Sequence, residues 1–375
     1  MRRPFRRSCR SPRVLRRLGA TLLGTVVSAA LVCPAPAAAA AAKAGEAVRH
    51  RPGPLAHTYS IVARDPASGN FGVAVQSHWF QVGAVVPWAE AGVGAVATQS
   101  FVDPAYGPRG LALMRGGWSA ADALTRLVEA DAQRDVRQVA MVDAAGRVAA
   151  WTGEDCIAAA GHRVGDGYSV QANLMDRDTV WPAMARAYEA ALADPAVDFP
   201  GALLAALQAA EGEGGDIRGK QSAALLVVRA KTTGDPWRDR LVDLRVDDHG
   251  APLDELARLL VRHRAYEEMN AGDEAVAAAD FAAALTHYSR ASELAPDIAE
   301  LPFWQAVTLF VEGREDEALP IFRRVFAAEP RWARLVPRLP AAGLLPDDPA
   351  KIEKILAEAP QEGPGRGADG GDKSP

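Results

Sequence analysis

The chain has 375 residues, 49% of them apolar, with 42 Lys and Arg against 47 Asp and Glu, a net charge of −5. Eight of those basic residues are arginines within the first seventeen positions; without them the balance is 34 against 47, or −13. So acidic a remainder offers no electrostatic footprint for nucleic acid or an anionic membrane surface, and the length suits one large domain plus a smaller one.

The first residues read as an export signal. Arginine-rich "MRRPFRRSCRSPRVLRRLG" is followed by apolar "ATLLGTVVSAALVC" and by "PAPAAAAAA" with its Ala-x-Ala sites. That is the order of a secretory signal peptide, and its apolar part is too short to span a bilayer comfortably. A signal and cleavage region over 1–42 predicts a secreted or periplasmic protein with no stable membrane span once the signal is cut, between Ala37 and Ala42. Arg16-Arg17 leaves the general secretory and twin-arginine routes both open, and Val32 before Cys33 argues against a lipoprotein. Only Cys156 of the three cysteines lies beyond the signal, so no internal disulfide forms. Residues 43–57, with "RPGP", read as a flexible spacer.

From Thr58 short β-type runs alternate with turns. "TYSIVAR" and "FGVAVQSH" flank "DPASGN" as a hairpin; "VGAVVPW" and "VGAVATQS", joined by "AEAG", read as two more strands. "SAADALTRLVEA" is a helix with Ser119 as N-cap and Asp122 three residues on. "RQVAMVD", "AAGR" and "VAAWTG" form a second hairpin, and "GYSVQANL" a strand. "TVWPAMARAYEAALA" and "GALLAALQAAEG" are helices, "QSAALLVVRA" and "RLVDLRVDD" buried strands, and "LDELARLLVRHRAYEEM" a long amphipathic helix. The order predicts sheets covered by helices in layers.

Beyond this the chain repeats itself at an offset of thirty-four: Gly272 matches Ala306, Ala284 Ala318, Tyr288 Phe322, Ala291 Val325 and Pro296 Pro330. Thirty-four is the tetratricopeptide period, so 267–345 read as two such repeats. A C-terminal helix and a disordered tail, "QEGPGRGADGGDKSP", follow over 346–375.

Six ordered blocks carry a family resemblance: "TYSIVARDPASGNFGVAVQS", "VGAVVPWAEAGVGAVATQS", "YGPRGLALM", "AGHRVGDGYSVQANLM", "GGDIRGKQSAALLVV" and "VDLRVDDH". Together they resemble domain-of-unknown-function family 1028, which is grouped by fold with the N-terminal-nucleophile (Ntn) hydrolases. The resemblance covers about Thr58 to Tyr266 and implies an α+β fold: a four-layer αββα Ntn-hydrolase-like sandwich over 58–266, here followed by the small all-α tetratricopeptide module. It implies amide hydrolysis without naming a substrate.

Thr58 matches the exposed terminus of family members that lack a signal. In Ntn hydrolases the free α-amine of the first residue activates its own hydroxyl or thiol, so the spacer must be cut at His57-Thr58 before Thr58 acts. Its β-branched shape suits an ordinary strand residue equally. Asn173 is the candidate oxyanion donor; in the same block His162 is a further catalytic candidate, and Asp166 and Gln171 are substrate-binding ones. Asp216 and Arg218, two apart in a Gly-rich loop, suit either a substrate's ammonium and carboxylate or a plain salt bridge. Ser77, Thr98 and Gln99 fall at strand ends where pocket residues emerge, and Tyr106 with Arg109 in a loop above them. Cys156 reads more readily as a buried small apolar residue than as a catalytic thiol. His78, His162 and His249 with Asp247 and Asp248 lack metal-ligand spacing, and the Gly-rich loop lacks the phosphate-loop pattern. No metal or cofactor is called for. Three functions remain open: an exported Ntn-type hydrolase of a small amide or peptide-like substrate, a non-catalytic binder of a small molecule, and an interaction protein whose repeats meet a protein partner or a second copy.

Overall fold

The computed structural model describes residues 55–360; the expected signal, most of the spacer and the C-terminal tail lie outside them. The chain enters with Leu55–Ala56 (β1) and Thr58–Arg64 (β2), turns into Phe71–Ser77 (β3), and continues through Pro87–Glu90 (β4) and Gly94–Phe101 (β5). Helices Tyr106–Arg115 (α1) and Ala120–Ala130 (α2) precede Arg137–Asp143 (β6), Val148–Thr152 (β7), Gly161–Gly165 (β8) and Tyr168–Ala172 (β9). Then come Val180–Ala193 (α3), Phe199–Gly212 (α4), Ser222–Val228 (β10), the short Pro236–Asp239 (α5) and Arg240–Val246 (β11). The remainder is helical: Pro252–Ala277 (α6), Phe281–Leu294 (α7), Glu300–Val311 (α8), Glu315–Ala328 (α9) and Pro349–Leu356 (α10).

Two antiparallel sheets result. One runs β1-β5-β6-β7, with β4 also on β5; the other runs β11-β10-β3-β2-β9-β8. Strand periodicity sorts their side chains. Tyr59, Ile61 and Ala63 of β2 point out toward α3, α4 and α6, in one core with Leu203, Leu207 and Leu256. Val96, Val139 and Met141 point out on the other side, toward Leu111 and Met114 of α1 and Leu124 of α2. Val62, Val73, Val75, Ala97 and Ala140 meet between the sheets. The strand-bearing part is therefore a mixed α/β body with helices on both outer faces.

Close approach fixes these layers. A β-carbon on Gly72 would come within 2.4 Å of Leu203, and one on Gly107 within 2.2 Å of Trp88, so β3 lies tight under α4 and α1 tight on β4. Ser119 caps α2 as the sequence indicates, accepting the Asp122 N–H at 3.1 Å. One expected strand is mostly absent: of "VGAVVPW", Val82–Ala84 is a 3-10 turn and pairing starts only at Pro87. Val82 and Val86 are buried all the same, because the turn pushes them into the space between the sheets. The last residues of the expected spacer are also built in: Leu55 and Ala56 pair with Phe101 and Ser100.

The helical region follows without a break, since α6 is one helix running from the strand-bearing part into the helices that follow. All four helix positions related by the thirty-four-residue offset are buried: Gly272 and Ala306, Ala284 and Ala318, Tyr288 and Phe322, Ala291 and Val325. No described helix is long and apolar enough to cross a membrane.

Candidate functional site

Along β2 and β9 the alternation is polar against apolar, which in a single exposed sheet would put the polar set in water. Here the polar set faces the other sheet. Thr58 and Ser60 of β2, Ser77 of β3, Gln99 of β5, Gln138 of β6, Ser169 and Gln171 of β9, and Asn173 just beyond it are all buried. They fill one end of the inter-sheet space while the valines and alanines fill the other. Burying so many polar groups is tolerable only if they satisfy one another.

They do so in a single network whose donors and acceptors are fixed. The Gln138 amide nitrogen donates to the carbonyls of Ala172 (2.9 Å) and Gly161 (3.2 Å) and to the Thr152 hydroxyl (2.9 Å). Its oxygen must then be the acceptor that takes the Gln99 (2.7 Å) and Asn173 (2.8 Å) amide N–H groups. Gln99 also donates to the Thr58 carbonyl, and its oxygen accepts the Ser60 hydroxyl at 2.6 Å. Ser60 in turn accepts from the Gln171 amide at 2.6 Å. The backbone is strained beside two of these groups: Ser100, after Gln99, has φ 72°, and Leu174, after Asn173, has φ 60°.

With its nitrogen committed, Asn173 presents Oδ1, 2.8 Å from Nδ1 of His57. His57 is therefore the Nδ1–H tautomer. The residue is 2% exposed, and its ring stands edge-on to Phe101, the centroids 5.6 Å apart. Nε2 is buried with no partner among the described residues. Burial holds the ring's pKa below the usual histidine value, aided by the Arg218 charge and opposed by the Asn173 bond and Asp216.

The peptide between His57 and Thr58 lies at the centre of this arrangement. The His57 carbonyl accepts the Ser77 hydroxyl at 2.5 Å and the Arg218 guanidinium at 2.7 Å. Arg218 is held there by Asp216, whose carboxylate takes Nε at 3.0 Å and Nη2 at 2.7 Å as well as the backbone N–H of His78 at 3.2 Å. Thr58 is fully buried; its hydroxyl donates to the Ala56 carbonyl at 2.7 Å, and its own carbonyl accepts the Asn173 N–H at 3.1 Å. A hydroxyl and a guanidinium on one carbonyl oxygen are the donors that steady negative charge when such a carbonyl is attacked.

Of the residues singled out from the sequence, Thr58, Ser77, Gln99, Gln171, Asn173, Asp216 and Arg218 meet here. His162, exposed on β8, joins through Thr152, whose hydroxyl lies 2.8 Å from the ring and also accepts from Gln138. Thr98 faces the helix side of its sheet and donates to the Asp103 carbonyl. Tyr106 and Arg109 sit on α1 at a separate cavity of about 140 Å³ with Asp103 and Asp131. Asp166 is exposed in the β8–β9 turn, at the Arg64 end of β2. Cys156 contacts the Arg137 carbonyl, at a shallow cleft shared with His162 and Trp181. Among the described residues no three His, Cys, Asp or Glu side chains cluster as metal ligands would.

Sequence reading missed His57, Ser60, Gln138, Thr152 and Ser169. The signal for most of them was polar residues at every second position of strands otherwise packed on both faces. His57 gave none, since it precedes the first evident strand.

The model of a family of unknown function, DUF1028, matches residues 58–256. A crystal structure of a Silicibacter pomeroyi protein carrying the same family model is 32% identical, covers 54% of this chain and 84% of its own, and superposes with a TM-score of 0.49. No curated protein matches.

Proposed function

The chain belongs to the family of unknown function DUF1028, and we propose that it is an exported amide hydrolase of the N-terminal-nucleophile type, activated by cutting its own His57-Thr58 bond. The observation that carries this reading is the His57 carbonyl gripped by Ser77 and Arg218 directly before Thr58. In the self-cleavage step the Thr58 oxygen adds to the His57 carbonyl carbon, closing a five-membered ring, while Ser77 and Arg218 take the charge on the carbonyl oxygen. The C–N bond then breaks and the nitrogen takes up the hydroxyl's proton. His57 is left as an ester on Thr58, and Thr58 gains a free α-amine. Water hydrolyses the ester, releasing the leader as a carboxylic acid and restoring the hydroxyl. A substrate amide follows the same path, now with the α-amine as base.

Helices on both outer faces of two antiparallel sheets support the αββα Ntn-like reading. The residues at 1–42 support export, and they lie outside the described structure. Two helix pairs burying matching residues at a period of thirty-four support the tetratricopeptide reading of the C-terminal region, which we assign to contact with a protein partner or a second copy.

The test is the intact mass and N-terminal sequence of the full chain, expressed with its leader. The expected product begins at Thr58; Thr58→Ala stays uncut, and Ser77→Ala is cut about 10²–10³-fold more slowly. A wild-type chain that retains residues before Thr58 and hydrolyses none of a panel of N-acetyl amino-acid amides overturns the reading.

A further inference from the structure

The leader does more than pass through the site: its last side chain is seated in a closed pocket. His57 is 2% exposed, and its Nδ1–H meets an acceptor, Asn173 Oδ1; the Asn173 side chain cannot flip to present a donor without breaking its hydrogen bond to Gln138. Gln138 cannot rotate either, because its nitrogen is held by two backbone carbonyls. Phe101 closes the pocket edge-on to the ring. The seat is attached to the very carbonyl that Ser77 and Arg218 hold, so whatever fills it is the acyl side of the bond to be cut.

We infer that this seat is a recognition pocket for an imidazole-bearing acyl group, and hence that the substrates are histidyl amides or peptides, with histidine on the acyl side of the scissile bond. The substrate assignment rests on the hydrolase reading above; the recognition of imidazole does not. A fixed, buried acceptor discriminates strongly, because a group with no N–H to offer leaves it unpaired. A phenyl ring fills the space beside Phe101 but strands Asn173 Oδ1. An aspartate or glutamate brings like charge to a carbonyl oxygen. Asparagine places its Nδ2–H the same number of bonds from Cα as the histidine Nδ1–H, yet it leaves the ring volume empty, so it ranks second. Nothing partners Nε2 among the described residues, so that side of the ring is not read.

The hydrolysis balances as ordinary amide cleavage. The Thr58 oxygen displaces the amine, which leaves carrying one proton, and water then frees the acyl group as a histidine carboxylate, with Arg218 beside it.

The pocket is tested in the uncuttable Thr58→Ala chain carrying also His57→Gly, which empties the seat. Imidazole is expected to raise the melting temperature of this double variant in a saturable way and to leave Thr58→Ala, whose seat is filled by His57, unmoved. 1-Methylimidazole, which has the ring but no N–H, should bind about tenfold more weakly or worse. Equal effects of the two probes, or no effect of imidazole, overturn the inference. A second measurement needs no variant to fold: the wild-type chain is assayed on N-acetylhistidinamide and N-acetylphenylalaninamide. A preference of about tenfold or more in kcat/KM for the histidine compound supports the assignment, and equal rates overturn it. N-terminal sequencing of the same wild-type preparation reports separately on self-cleavage, so a wild type that is never cut, beside a Thr58→Ala/His57→Gly chain that binds imidazole, sinks the hydrolase reading and leaves the pocket standing.

Discussion

His57 is only half satisfied. Its Nδ1 is well paired, but Nε2 is buried with no partner among the described residues, and an unsatisfied buried acceptor costs about 1–3 kcal/mol. The cost opposes keeping the leader seated once its covalent tie to Thr58 is gone, which favours release over product inhibition. It also makes the seat pH-sensitive. The ring titrates below 6.5, the ordinary histidine value, because burial disfavours its charged form. When the chain unfolds, the freed ring titrates near 6.5 and binds more protons than the seated ring, so stability rises with pH through that window. The contribution is therefore intact above pH 6.5 and is lost progressively as the pH falls below it. In the uncuttable Thr58→Ala chain, the melting temperature between pH 7.5 and 5 should fall more steeply than in Thr58→Ala/His57→Asn. Parallel curves would show that the ring is not held neutral.

Strands show how far sequence pattern reaches. The alternations in "TYSIVAR" and "GYSVQANL" mark β2 and β9 as strands, but alternation says only that two faces differ, not which one meets water. Thr58, Ser60, Ser169 and Gln171 face a second sheet that no local window contains. Most helices and strands were legible because their own periodicity defines them, but α1 was not: Tyr106 and Arg109, expected in a loop among glycines, sit on that helix. Val82–Ala84 was not, because its valines serve a core contact from a turn and so mimic a strand. Glycine separates these cases where packing is tight. Gly72 lies in β3 with Leu203 and Phe199 of α4 where its β-carbon would be, at 2.4 and 2.9 Å. Gly72→Ala should lower the urea midpoint by the equivalent of about 1–3 kcal/mol with an unchanged slope. Gly212, where a β-carbon would meet nothing within 4 Å, should tolerate alanine and gain a few tenths of a kcal/mol or more from its helical position. Equal effects at the two positions would mean that β3 and α4 are not packed as described.

The strand-bearing part and the helical part rest on separate cores joined through α6. Leu253, Leu256 and Leu260 near its start belong to the core over β2, β3 and β10, whereas Ala265 packs with Ala291, Ala295 and Leu301. Beyond these, Phe303, Phe310, Phe322 and Phe326 form their own buried cluster with Val336 and Ile355, closed by edge-on and stacked ring pairs. Contiguous units with separate apolar cores open separately, and the catalytic arrangement proposed for Thr58 draws on none of the C-terminal cluster. Phe322 touches three of the other aromatic rings, and truncating a fully buried phenylalanine costs about 3–5 kcal/mol. Phe322→Ala should therefore strip hydrogen-exchange protection from α8, α9 and α10 while β2, β3 and β10 keep theirs, and the His57-Thr58 bond should be cut at the wild-type rate. The ring's loss would reach the sheets through the stretch of α6 that carries the small buried set around Ala265 and the surface ion pairs of Arg262 with Asp297 and Arg264 with Asp198, each pair worth about 1 kcal/mol at most. That link is weaker than the cores it joins, so simultaneous loss of protection in sheets and helices would require a coupling that this packing does not supply.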